Sequence, residues 1–441
     1  MYELIIRDAT IVSSSGRQVA DIAIEGNKIA YVGSKASGPA RKEIDAIGRF
    51  VMPGLIDAHV HFRDPGDGRQ EDWGTGSRAG VAGGVTTVLD MPNTRPATTD
   101  AATVKAKLAS AAKLSVANFG VWGAVTSANM PQLSDLWEGG QICGLKVAMC
   151  DSDGVTALDD KTLDGVFTQT RGLLGVHAED QATLLASKKL NQNNPSPAHN
   201  DVRPVEAAAE AVRKLLDWVK QTGRAVHICH LSTSAELTAL DPYRGDLPIT
   251  CEVTPHHLFL SVETAGEKLG NYIKVDPPVR PELDRKALWT AVKRGRIDTF
   301  ASDHAPHTLD EKRRPYWKSP SGVPGVETMF PLLMSAVNHS RLTLERMVEM
   351  CCEGPARIFG LKDKGVIRAG ADADLILFRE GEMFRLGREH LHSRVRWSPY
   401  VGREVAAFPE LVVVQGRIVS RRGKLTDDLK AARPVSYVGR A

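Results

Sequence analysis

The chain has 441 residues, 42% of them apolar and 25% charged, the make-up of an ordinary globular protein rather than a disordered or fibrous one. A formal charge of +3, from 56 basic and 53 acidic residues, gives no case for nucleic acid as a partner. No apolar run approaches the roughly 18 residues of a membrane span, and residues 1–8 lack the basic-then-apolar layout of a signal peptide. The six cysteines show no CxxC pair or framework spacing, so a reduced, cytoplasmic protein without a membrane partner is expected.

The first fifty residues predict short strands at 4–6, 9–12, 22–24 and 28–32, separated by turn residues. The far end has the same texture at 373–378 and 411–419. One small β-sandwich domain is expected from the two termini together, residues 1–51 plus 362–441. Between 52 and 361 strands alternate with helices. Strand candidates fall at 86–89, 115–119, 144–149, 175–177, 225–230, 249–253 and 299–303. The stretch 204–221, with apolar residues at 208, 212, 215, 216 and 219, predicts an amphipathic helix. Seven or eight βα units over some 300 residues predict an α/β fold, a (β/α)8 TIM-like barrel whose sites sit at the carboxyl ends of its strands.

The segment 57–66, Asp-Ala-His-Val-His-Phe-Arg-Asp-Pro-Gly, follows an apolar run of strand length. On a strand His59 and His61 project to the same side, and Arg63 is the next residue on that face. Imidazole is the commonest protein ligand for zinc. His177, His230 and Asp303 each end a further strand candidate, so five nitrogen or oxygen donors would converge on one pocket, enough for two metal ions. Lys146 lies inside an apolar strand candidate, where a lysine tends to lose its proton. A neutral amine can take up carbon dioxide as a carbamate, whose two oxygens could bridge two cations. The competing reading is a lysine that snorkels to the rim, and Asp151 and Asp153 are rival bridges. His227 is expected to face away from His230. His256 and His257 would line the pocket or order a loop, and His199, His339, His390 and His392 read as surface.

Beyond these residues, the chain carries 82–88 running into Met-Pro-Asn-Thr-Arg-Pro at 91–96, and His-Ala-Glu-Asp at 177–180. His-Leu-Ser-Thr follows at 230–233 and Glu-Val-Thr-Pro-His-His-Leu at 252–258. Pro-Pro-Val-Arg stands at 277–280 and Ser-Asp-His-Ala-Pro-His-Thr at 302–308. Over nearly its whole length the chain thereby resembles the amidohydrolase superfamily, and within it the longer bacterial type of dihydroorotase. The resemblance implies reversible metal-dependent cyclisation of N-carbamoyl-L-aspartate to L-dihydroorotate in de novo pyrimidine biosynthesis. It implies two divalent metal ions, zinc by expectation, held by His59, His61, Lys146 as its carbamate, His177, His230 and Asp303. Some members bridge with Asp instead of the modified lysine. Asp303 would act as general base and then acid. Arg63, Asn93 and His307 would hold the substrate, with backbone around Ser321 and Gly322.

Allantoinases and hydantoinases share the metal ligands but typically carry Asn or Asp where this chain has Arg63. Two departures stand out. Asp276 occupies the position of a substrate-contacting Asn and, ionised, can accept but not donate. Asp72-Trp73 replaces a more usual acidic-Ile-like pair. A small-molecule substrate, a homodimer and an association with aspartate transcarbamoylase complete the expected partners.

Overall fold

The computed structural model describes residues 1–152, 154–427, 429 and 432–439. The central unit is a barrel. Among the described residues, eight parallel strands follow one another: Leu55–Val60, Val85–Asp90, Asn118–Val121, Leu145–Ala148, Leu174–His177, Val226–Ile228, Ile249–Val253 and Thr299–Phe300. The two-residue strand Gly123–Ala124 carries the third over to the fourth. Helices alternate with the strands. The longest, Val205–Thr222, packs Ala208, Val212, Leu215, Leu216 and Val219 inward, as the apolar spacing predicts.

The ring closes between its first and last strands. Val60 bridges His304, and His61 N–H donates to the His304 carbonyl at 2.8 Å. Beneath them the buried Asp57 accepts backbone N–H bonds from Ser302 at 3.0 Å and His59 at 3.3 Å. Burial raises the Asp57 carboxyl to about 7. The barrel interior is filled rather than open. Trp122 lies wholly buried in it, and a Cβ added at Gly175 would meet that indole at 2.5 Å.

The two termini are joined in a nine-stranded sheet whose middle reads Leu411–Val414, Leu375–Phe378, Phe50–Pro53, Leu4–Ser13 and Gly16–Glu25. Strand Leu4–Ser13 serves two neighbours along one edge. Ile5 to Arg7 pair with Glu43–Asp45, and after a register shift Thr10 and Ile11 pair with Phe50 and Val51. The sheet has its own core, with Ile6, Ile11, Ile22, Leu375 and Val413 among its buried residues. Residues further along the C-terminal part reach the barrel: Phe119 N–H donates to Arg433 O at 3.1 Å, and Val435 N–H to Phe119 O at 2.9 Å.

Candidate metal centre and its pocket

A cavity of about 820 Å³ opens at the carboxyl ends of the barrel strands. His59, His61, Lys146, His177, His230 and Asp303 all line it, as do Arg63, Asn93, Asp276 and His307. The register accounts for part of this convergence. Ala148 pairs with His177 in parallel strands, so Lys146, two residues earlier than Ala148, shares a face with His177. Arg63, His230 and Asp303 all sit with positive φ, at 59°, 38° and 46°. Non-glycine residues rarely adopt this left-handed conformation, and each instance costs on the order of 1 kcal/mol or more. Three such residues at strand ends turn their side chains into the cavity at the expense of backbone strain.

The imidazoles are held from behind. His59 Nδ1–H donates to Glu252 Oε1 at 2.5 Å, and His61 Nδ1–H donates to Asn93 Oδ1 at 2.6 Å. Those bonds fix the tautomer and leave a lone pair on each Nε2. Both Nε2 atoms face Asp303 Oδ1, at 3.3 Å from His59 and 3.1 Å from His61. Two lone pairs and a carboxylate oxygen therefore meet with no proton to share, an arrangement a cation resolves. His59, His61 and Asp303 can bring their ligand atoms within 4.8 Å of one another.

The other two rings complete the cluster. His177 stacks edge-on against His230 at 4.6 Å between centroids, and His230 lies 5.3 Å from His59. His230 Nδ1 is buried without a hydrogen-bond partner. Burial, with the charge of the neighbouring His177, holds His230 well below its usual pKa, so its ring stays neutral and free to ligate. His177 Nε2–H donates to Glu179 Oε2 at 2.9 Å. Burial alone would lower its pKa, but Cys150 and Glu179 outweigh burial and raise it to about 9, so a cation binding there displaces a proton. The donor set of four imidazoles and a carboxylate fits divalent cations such as zinc.

Lys146 Nζ contacts Cys229 Sγ at 2.9 Å and, among the described residues, has no carboxylate in hydrogen-bonding range. Of the two rival bridges, Asp153 lies outside the described residues. Asp151 is exposed, and its oxygens accept from Ala157 N–H and Gln181 Nε2–H, both at 2.8 Å. It orders a loop and turns away from the histidines.

On the opposite wall Arg63 Nη2 lies 3.2 Å from His307 Nε2, and His307 Nε2 is 2.9 Å from Ser321 O. Asn93, expected at the substrate, presents its amide oxygen to His61. The Asp72-Trp73 departure is a local support. Asp72 caps the helix Trp73–Ala82 through Thr75 N–H at 2.7 Å. Trp73 packs edge-on against Phe62 at 5.3 Å and donates its indole N–H to Asp64 O at 3.2 Å, bracketing Arg63.

Several sequence expectations are corrected. His199 is not a surface residue: it bonds Tyr316 OH at 2.7 Å and Asp276 Oδ1 at 3.0 Å. His392 is half-buried on Glu327 Oε1 at 2.6 Å. His227 does lie off the cavity, bonded to Glu252 Oε2 at 3.2 Å. Glu252, Glu179 and Arg203 also belong to the site, beyond the residues expected from sequence. Of these Glu252 carries a local signal, the one charged residue in the strand Ile249–Val253.

Residues 50–419 match the amidohydrolase family, and the chain belongs to it. Enzymes of this family are metal-dependent. The chain is 39% identical to a dihydroorotase of Halobacterium salinarum over 418 residues, 94% of this chain and 96% of the relative. It is 35% identical to an allantoinase of Rubrobacter xylanophilus over 437 residues, covering 96% and 95% of the two chains. The solved L-hydantoinase (dihydropyrimidinase) from Arthrobacter aurescens superimposes with a TM-score of 0.94 at 30% identity, over 99% of this chain and 100% of that one.

Proposed function

We propose that this protein is a dihydroorotase, interconverting N-carbamoyl-L-aspartate and L-dihydroorotate in de novo pyrimidine biosynthesis. One observation carries the choice among cyclic amidases: Arg63, held at the pocket wall beside His307. Its planar fork suits a carboxylate, which dihydroorotate bears and unsubstituted hydantoins lack. The 39% identity to a named dihydroorotase supports the same choice.

His59, His61, His177, His230, Asp303 and Lys146 as its carbamate would hold two divalent cations, zinc by their donor chemistry. Such ions supply Lewis-acid polarisation of the amide carbonyl and ionise water near neutral pH. The chain's own groups do the rest. Arg63 and His307 orient the substrate carboxylate, and Asn93 fixes the His61 ring. In ring opening Asp303 takes the proton of the attacking water and delivers it to the leaving ring nitrogen. In ring closure the same carboxylate takes the proton of the attacking ureido nitrogen and passes it to the departing oxygen, and because releasing that oxygen as water consumes one further proton from solution, that direction gains as pH falls. Carbamylation of Lys146 joins its neutral amine nitrogen to carbon dioxide and releases one proton. Loss of metal in Lys146→Ala, restored by short carboxylic acids, is the expected result; an unchanged metal content would refute the carbamate.

The cytoplasm is the proposed compartment, supported by six buried cysteines that show no CxxC pair or framework spacing. No helix among the described residues is long and apolar enough to cross a membrane. A homodimer is the proposed assembly, with exposed Leu185 and Leu190 on the helix Gln181–Asn191 as apolar surface to cover. Association with aspartate transcarbamoylase belongs to the same reading, and co-sedimentation of the two proteins tests it. The functional test is turnover of N-carbamoyl-L-aspartate and dihydroorotate beside allantoin and dihydrouracil. Preference for either of the latter would make the protein a different cyclic amidase.

A further inference from the structure

Behind one wall of the cavity four polar side chains form a continuous chain that ends on a histidine of the metal centre. Asp276 begins it, and both of its oxygens are engaged from within the protein. Oδ1 accepts from His199 Nε2 at 3.0 Å. Oδ2 lies 3.3 Å from Arg203 Nη1 and accepts from Ser152 Oγ at 3.3 Å. Arg203 is buried, and the other end of its guanidinium grips Glu179. Nε donates to Oε2 at 3.0 Å, and Nη2 makes a shorter bond to the same oxygen. Nη2 also reaches Cys150 Sγ at 3.2 Å and stands 3.5 Å from His177 Nε2. Glu179, fully buried, accepts the His177 Nε2–H bond.

This geometry bears on what Asp276 can do. A carboxylate pointed at an anionic substrate would repel it, and here the carboxylate is turned to a cation behind the wall instead. Arg203 lies between two carboxylates, so its fork is fixed at both ends. With Glu179 alone, the Nη1 end would keep only a long contact to Asp151 O at 3.5 Å. The extra negative charge also leaves this cluster anionic beside a site that would take divalent cations.

We propose that Asp276 is a positioning residue for the metal centre: it anchors Arg203, which fixes Glu179 and through it the ring of His177, and it does not contact the substrate. This rests on the reading of His177 as a metal ligand. Losing a partner behind a ligating histidine typically costs about 10–100-fold in metal affinity. The test uses full-length zinc-loaded enzyme and the variants Asp276→Asn and Asp276→Glu. Zinc affinity is measured by competition with a chromophoric chelator, alongside KM and kcat for N-carbamoyl-L-aspartate. Asp276→Asn should bind zinc about 10-fold more weakly or worse, with KM at saturating zinc within about threefold of wild type. A KM raised tenfold at unchanged zinc affinity would overturn the proposal and make Asp276 a substrate contact. If Asp276→Asn does not fold, Asp276→Glu decides: the retained charge should keep KM near wild type with a smaller loss of zinc affinity. Wild-type zinc affinity there with a tenfold higher KM would overturn the proposal. Failure of the underlying reading shows separately, as wild-type enzyme that retains no zinc.

Discussion

The floor and the wall of the cavity carry charge in opposite ways. At the floor His59, His61 and Asp303 turn acceptors toward one another, and among the described residues no donor stands between them. At the wall Asp276, Glu179, Arg203 and His199 pair every charge with a partner inside the protein. The wall is therefore complete in the folded chain, and the floor is complete only with cations. The lysines repeat the contrast. Lys107 is buried on Asp90 at 2.6 Å and Lys364 on Asp372 at 2.8 Å, whereas Lys146 at the floor has, among the described residues, the Cys229 thiol and no carboxylate.

Breaking the floor should cost activity, and breaking paired charges elsewhere should cost stability. The largest effect is expected from Asp303→Asn, which removes proton transfer and should lower kcat by about 10³-fold or more in both directions; near-normal turnover would remove Asp303 from the mechanism. Glu252→Gln weakens the acceptor behind His59 and should reduce metal affinity about 10–100-fold, read by metal analysis after dialysis. Arg63→Met should raise KM for dihydroorotate about 30-fold, equivalent to about 2 kcal/mol for a charged hydrogen bond, with metal content unchanged. Lys107→Met leaves Asp90 buried and unpaired, so a loss of about 3–5 kcal/mol in chemical denaturation is expected with the ligands intact.

The smallest effect belongs to the terminal sheet. Burial alone would raise the Asp372 carboxyl, but the Lys364 and Lys28 ammoniums outweigh it and hold it below the usual value. A carboxyl lowered on folding stabilises the protein above its unfolded pKa, and that contribution disappears as pH falls through the folded value. Asp372→Asn should therefore cost about 1 kcal/mol near neutrality, with the difference from wild type closing below pH about 4. A difference that widened in acid would contradict this pairing.

The barrel was legible because hydrophobic runs at strand spacing alternate with helices such as Val205–Thr222, and because the histidines fall where runs end. Strand limits were less so. The run at 299–303 forms only Thr299–Phe300 as strand, since Asp303 leaves the extended conformation to face the cavity. Terminal strands could be recognised, but their union through Phe50–Pro53 and Leu375–Phe378 depends on contacts more than 300 residues apart. In the site, residues facing the cavity could be read from strand parity and motif. Those behind them could not. His199 opens the short helix His199–Val202 and Arg203 caps its end, with nothing local to mark either, and only the fold brings Asp276 to them. Asp276 looked like an unfavourable charge in sequence because its counter-ion lies 73 residues away.

The most direct test of the account is a steady-state assay of N-carbamoyl-L-aspartate cyclisation, with metal analysis of the same sample. The account predicts cyclisation with about two divalent ions per chain, and loss of both activity and metal on chelation. Turnover unaffected by complete metal removal, or a fully metal-loaded protein that leaves N-carbamoyl-L-aspartate and dihydroorotate untouched, would contradict it.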